Sequence, residues 1–390
     1  MDGVDLSLFR LLSSKKDGIQ DAMRNILPLF LNITLNKPGE RPLFHKRSLV
    51  WIGLAVTTLV LSNVIPSSFL DRWYYEGLFG WIRQAYDYSL GWSPLPMIYI
   101  VLAIILVRTA LWFKDRKKGI TFQISRVFGG IAFLVLVFYF LWGFNYNQIP
   151  LQTRLGFDLK EVSDIDIEKE FQRATEVLTK EASELPDQLT TDGSISDYKI
   201  SDHDLRPDVE KALADLDIPH KGRVRVRQLW PNGFLLRWST AGIYIPQTGE
   251  GHIDRGLLSV QKPFTIAHEM AHGYGVTDEG ACNFIAWLAC SQSKENWIRF
   301  GGAFTYWRYA ASEMPEQKVK EVISQFPPVV SRALTLVREN DKKYPDLMPK
   351  VRDAIYSSYL ERHGVKGGLK SYNYVVMMVQ QYLEKVKVKN

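Results

Sequence analysis

The run His268-Glu269-Met270-Ala271-His272 places two imidazoles four residues apart. On a helix that is just over one turn, so both rings point the same way and can share one metal ion, with Glu269 beside it to take a proton from bound water. The surrounding positions Phe264, Ile266, Ala267, Met270 and Ala271 are apolar, which is not the setting of a solvated surface helix. The chemistry such a set performs is zinc-dependent hydrolysis, with Glu269 as the catalytic carboxylate and His268 and His272 as metal ligands.

Two histidines do not complete such a site, because a catalytic zinc takes three protein ligands and leaves the fourth position for water. Two acids follow. Asp278 comes six residues after His272, with Gly275 three after it, which matches the H-E-x-x-H-x-x-G-x-x-H spacing with Asp in place of the last His. Glu279 stands in the first turn of the next helix with Asn283 one turn on, resembling sites where a glutamate ligand is followed by a residue that hydrogen-bonds a ligating histidine. Either acid also suits a helix N-terminus as a charge that complements the dipole. The residues alone leave the third ligand open between Asp278 and Glu279. His252 reads as a solvated loop histidine rather than a further ligand. Tyr244, Tyr306, Tyr309, Tyr372 and His363 are all of a type that stabilises an oxyanion, and the sequence does not choose among them.

The elements that must position this site divide the chain of 390 residues in two. Leu49–Ile65, Pro96–Phe113 and Val127–Phe144 are apolar runs at the short end of the membrane-spanning range, and Trp51, Trp112, Trp142 and Tyr146 flank them as an interface belt would. Lys46 and Arg47 precede the first run, and Lys114, Arg116, Lys117, Lys118 and Arg126 fill the loop between the second and third. The loop between the first and second carries only Arg72 and Arg83 against Asp71, Glu76 and Asp87. The positive-inside rule then puts the N-terminus in the cytoplasm and everything after the third run outside. The expected organisation is a cytoplasmic segment 1–46, three transmembrane helices within 47–147 (49–65, 96–113 and 127–144), and an extracytoplasmic domain 148–390. The net charge of +6 includes the cytoplasmic clusters and is no nucleic-acid signature. Cys282 and Cys290 lie about 12 Å apart along a helix, beyond disulfide reach, and read as buried small residues. No cleavable signal peptide is visible, and the apolar run Ile26–Leu35 is too short to span.

Beyond residue 148 the pattern is that of an α+β, mostly α domain. Asp166–Ala182 and Asp208–Leu216 have helical periodicity, and Asp187–Asp204 reads as a polar loop. Strands are expected at Arg223–Arg227, Gly233–Trp238 and Gly242–Ile245. The motif helix starts at Pro263 and stops at Gly273-Tyr274-Gly275. A second helix runs from Thr277 or Asp278 to about Ser291, and the remainder is helical with breaks at its prolines and at Gly364–Gly368.

The chain also resembles an uncharacterised bacterial family of membrane proteins with three N-terminal spans and a zincin-like domain. The matching pieces are Trp142-Gly-Phe-Asn-Tyr146, Gly242-Ile-Tyr-Ile-Pro-Gln-Thr-Gly-Glu250, the His268–His272 motif, Glu279 with Asn283-Phe284, and Gly364-Val-Lys-Gly-Gly-Leu-Lys-Ser-Tyr372. They cover roughly residues 47 to 385. In that family the acid equivalent to Glu279 recurs and the position of Asp278 is often basic. Some members carry a second glutamate where this chain has Ala281. The resemblance therefore implies Glu279 as third ligand and Asn283 as the residue that orients a histidine. The expectation is a membrane-anchored zinc metallopeptidase of the bacterial cell envelope, with Zn2+ as cofactor, a protein or peptide as substrate and the lipid bilayer as partner. The alternative is a non-enzymatic zinc-binding sensor or scaffold, which would have no use for Glu269. An intramembrane protease fits poorly, because Gln261, Lys262 and Asp278 flank a motif helix far too short to span.

Overall fold

The computed structural model describes residues 45–114, 119–157, 167–185, 199–312, 314–347, 349 and 371–389. Ile26–Leu35, the basic residues 116–118, His363 and Gly364–Gly368 lie outside the described residues. The chain is mostly helical with one small sheet, and it divides into two compact units. One comprises Met1–Pro66 and Val101–Asn147, the other Ser67–Ile100 and Gln148–Asn390.

The first unit is built from α1 (Lys46–Val64), most of α3 (Met97–Lys114) and α4 (Ile120–Leu141). Helices α1 and α4 pack along each other. The Trp51 and Phe133 rings meet at 5.1 Å, and Gly129 leaves room for Ser48, whose Cβ would lie 2.8 Å from a Cβ added there. Both helices are long and apolar enough to cross a membrane, whereas the apolar stretch of α3, Met97–Phe113, is shorter. Trp142, expected as an interface anchor, is buried against the rings of Phe138 and Tyr146, while Tyr146 is exposed.

The connection between the first two apolar helices differs most from the sequence expectation. It is helical: a turn at Ser67–Leu70, a π-wound stretch Asp71–Leu78, then α2 (Phe79–Leu90). Its charges are not loop charges. Arg83 and Asp87 form a buried pair at 2.5 Å, Asp87 also accepts from the Arg223 backbone N–H at 2.6 Å, and Asp71 pairs with Arg154. Arg83 Nη1 donates to the Tyr244 hydroxyl at 2.9 Å, and the Tyr86 hydroxyl donates to the Gln247 carbonyl at 3.1 Å. Buried ionic groups persist only when paired and hydrogen-bonded, so these contacts make the segment an integral part of the second unit.

That unit continues through α5 (Ile167–Ser183), α6 (Asp202–Asp215), β1 (Arg225–Leu229), β2 (Gly242–Ile245), β3 (Glu250–Asp254), α7 (Lys262–Gly273), α8 (Glu279–Ser291) and α9 (Asn296–Ala311). It closes with α10 (Glu316–Gln325), α11 (Pro328–Lys343) and α12 (Ser371–Lys389). Helix α6 starts earlier than its periodicity suggests, because Asp204 reaches back to the Ser201 backbone N–H at 2.8 Å and holds the first turn. The sheet order is β1-β3-β2, with β1 parallel and β2 antiparallel to β3, so β2 is an edge strand.

Gly233–Trp238, expected as a strand, is instead a loop closed by the short 3₁₀ turn Leu236–Trp238. The Asp254 carboxylate accepts from the backbone N–H groups of Gly233, Leu235 and Leu236 at 2.7, 2.7 and 3.2 Å. Donors committed to a side chain are not available to a ladder. The inner strand β3 was missed, since Glu250-Gly-His-Ile-Asp has no alternation of apolar and polar residues. All five of its residues are buried, and Glu250 is held by Arg225 at 3.0 Å and by the Met97 backbone N–H at 2.7 Å.

Candidate metal centre

Helix α7 carries the motif, with Pro263 in its first turn and the sheet packed on one side of it. The β2–β3 register places Gly242, Tyr244, Gly251 and Ile253 on one face of the sheet. A Cβ on Gly242 would come within 2.5 Å of Glu269 Oε1, and one on Gly251 within 2.8 Å of Glu269 Cβ. The two glycines thus provide the space Glu269 occupies. Helix α7 ends at Gly273, and Gly275 then takes φ +95°, a left-handed conformation that favours glycine. That turn brings the Val276 carbonyl back to His272, where it accepts from Nδ1 at 2.8 Å.

His268 Nδ1 donates to Asn283 Oδ1 at 2.8 Å, and the Tyr309 hydroxyl donates to the same oxygen at 3.4 Å. Because each Nδ1 is committed to an acceptor, Nε2 is the nitrogen that each ring turns toward the cluster. Those two Nε2 atoms lie 3.1 Å apart. Glu279 brings Oε2 to 3.1 Å from His268 Nε2 and Oε1 to 3.4 Å from His272 Nε2. Ligand atoms about 2.0–2.1 Å from a tetrahedral zinc are separated from one another by about 3.3 Å. Donor types and spacing both fit that ion. Among the described residues, these three form the cluster able to hold a metal.

Asp278 goes elsewhere. It is the N-cap of α8, and its carboxylate accepts from the Ala281 backbone N–H at 2.7 Å. Glu279, one residue on, faces the histidines. His252 is fully buried on β3, within 3.3 Å of Thr248 Oγ1 and outside the cluster, not on a solvated loop. Burial, with help from Arg227, pushes its pKa down to about 4. Among the tyrosines, Tyr309 bonds a residue of the site, whereas Tyr244 is held by Arg83 and Tyr306 donates to Glu170 at 2.5 Å. Sequence reasoning gave no place to the Val276 carbonyl. It put Gly242 on a strand and Cys282 among buried small residues, without foreseeing that Gly242 makes room for Glu269 or that the Cys282 thiol lies 3.3 Å from His272 Nδ1. A glycine opening the strand upstream of the motif was the one legible signal.

The electrostatics separate the two glutamates. Glu269 is buried, and its Oε2 has no hydrogen-bond partner among the described residues. Burial raises its pKa to about 7 against the opposing pull of His268 and His272. For Glu279, desolvation works against the charge, but His272 and His268 outweigh it and hold the carboxyl well below the usual range. One carboxylate is thus poised to hold a proton and the other to stay anionic.

The chain belongs to the family described as "Protein of unknown function (DUF3810)", whose model matches residues 74–380. The match begins inside the Ser67–Leu90 helical run rather than near residue 47, and so leaves out α1. No curated protein and no solved structure matches the chain.

Proposed function

We propose that the chain is a membrane-anchored zinc metallopeptidase of the bacterial cell envelope. In this reading α1, α3 and α4 span the bilayer, the N-terminus is cytoplasmic, and a zincin-like domain acts outside. The supporting observation is the convergence of His268, His272 and Glu279 beside a buried carboxylate oxygen, Glu269 Oε2, that has no hydrogen-bond partner among the described residues. Zinc bound by those three residues would polarise a peptide carbonyl and make a water acidic.

The chain's own residues account for the rest. Glu269, buried beside the cluster, takes the proton of the attacking water and returns it to the leaving amine. Asn283 and the Val276 carbonyl hold the two imidazoles in the tautomer that leaves Nε2 free. Strand β2, at the sheet edge beside Glu269, offers an extended peptide a strand to pair with.

The test is metal analysis of the purified full chain together with a broad peptide-cleavage screen. A fragment starting at Gln148 would lack Arg83, Asp87 and Met97, which hold the sheet. About one zinc per chain, with cleavage abolished by chelation, is the expected result. Zinc without any cleavage would favour a non-catalytic sensor or scaffold, and no zinc would overturn both.

A further inference from the structure

The helical run from Ser67 to Leu90 has two faces of different chemistry. Its inner side carries Tyr74, Tyr75, Arg83 and Asp87 into the second unit. Its outer side follows positions 69, 73, 77, 81, 85 and 88, at helical steps of four and then three. Four of those are aromatic and exposed: Phe69 by 51%, Trp73 by 62%, Trp81 by 66% and Tyr88 by 70%. Large aromatic side chains exposed along one side of a helical run mark an interaction site. Trp and Tyr, with an apolar body and a polar tip, are the residues that concentrate where hydrocarbon meets headgroups.

The occupant follows from where the chain leads. Only Ile65 and Pro66 separate the run from α1, and residues 91–96 separate it from α3, so apolar helices tie both its ends. More exposed aromatics sit where α3 begins. Trp92 is 80% exposed, and Trp230, 67% exposed, is bonded through its backbone N–H and carbonyl to the hydroxyl of Tyr99 in the first turn of α3. The Lys221 ammonium lies 5.6 Å above the Trp81 ring, a cation level with the stripe.

We propose that the Phe69–Trp73–Trp81–Tyr88 face lies in the headgroup layer of the bilayer as an in-plane interfacial helix that seats the second unit on the membrane. The inference rests on the membrane-anchored reading above. It links lipid contact to the site, because Arg83 and Tyr86 on the same helix hold Tyr244 within β2 and the Gln247 carbonyl in the turn that follows it.

The experiment uses the full chain in lipid nanodiscs with a nitroxide placed singly through Trp73→Cys, Trp81→Cys or Tyr88→Cys. Cys282 and Cys290 are fully buried and stay unlabelled. Ile104→Cys on α3 reports insertion, and Glu176→Cys on α5 reports water. The ratio of oxygen to nickel-chelate collisions at 73, 81 and 88 should be several-fold above that at 176 and below that at 104. If 104 reads lipid while the three stripe positions read water, the proposal is overturned and anchoring stands. Protection from both reagents at the stripe means a protein partner and equally overturns it. If 104 also reads water, the anchoring itself fails, and the proposal with it.

Discussion

Replacing Glu269 by Gln tests the buried carboxylate from two sides. An unfolded glutamate ionises near 4.5, and burial raises folded Glu269 to about 7, against the pull of His268 and His272. At about 1.36 kcal/mol per pH unit, ionised Glu269 therefore costs the ion-free fold about 3 kcal/mol. The folded chain holds the extra proton between those two pH values. The stability it contributes is complete below the unfolded pKa and is lost as pH rises through the folded one. Gln keeps the shape without the charge. In chelator-treated, detergent-solubilised protein, Glu269→Gln should be near neutral at pH 4 and stabilising by up to about 3 kcal/mol at pH 8. Guanidinium unfolding across that range measures it. A difference independent of pH, or a loss of stability at pH 8, would refute the argument that Glu269 is buried without a partner. With zinc restored, the variant should keep about one ion per chain and lose peptide hydrolysis by about 10²–10⁴-fold, because the proton acceptor is gone.

Zinc titrations separate the neighbouring acids. Glu279→Ala should abolish tight binding, while Asp278→Ala should keep it and cost about 1 kcal/mol of helix stability through the lost cap. Asn283→Ala should weaken zinc by about ten- to a hundredfold, since His268 loses its orienting acceptor; the opposite ranking of the two acids would make Asp278 the ligand. Gly242→Ala puts a methyl 2.5 Å from Glu269 Oε1, so steady-state kinetics should show a reduced kcat at unchanged zinc content, and wild-type turnover would count against the close strand–carboxylate packing. A reporter fused after Asn390 should be active only outside the cytoplasm, and activity inside would reverse the proposed topology.

The sequence by itself determined whatever depends on local periodicity. His268 and His272 share a helix face because they are four residues apart, Pro263 and Gly275 bracket that helix, and α1 and α4 are legible as continuous apolar runs. Their information lies within one or two turns of chain. The tertiary structure decided what depends on partners far along the chain. Strand β3 has no apolar alternation, and it is a strand because β1 and β2 flank it and arginines neutralise Glu250. Gly233–Trp238 has strand-like residues but gives its N–H groups to Asp254, about twenty positions on. Asp278 and Glu279 are adjacent and chemically alike. Which of them faces the histidines was settled when Asp278 capped α8 and the next residue turned inward. The segment between the first two apolar helices read as a weakly charged loop, since nothing near it in sequence reveals that Arg83 and Asp87 will be buried against Tyr244 and Arg223. Spacing fixes which groups a single helix presents, but the desolvation of a charge depends on what packs over it, and only the folded chain supplies that.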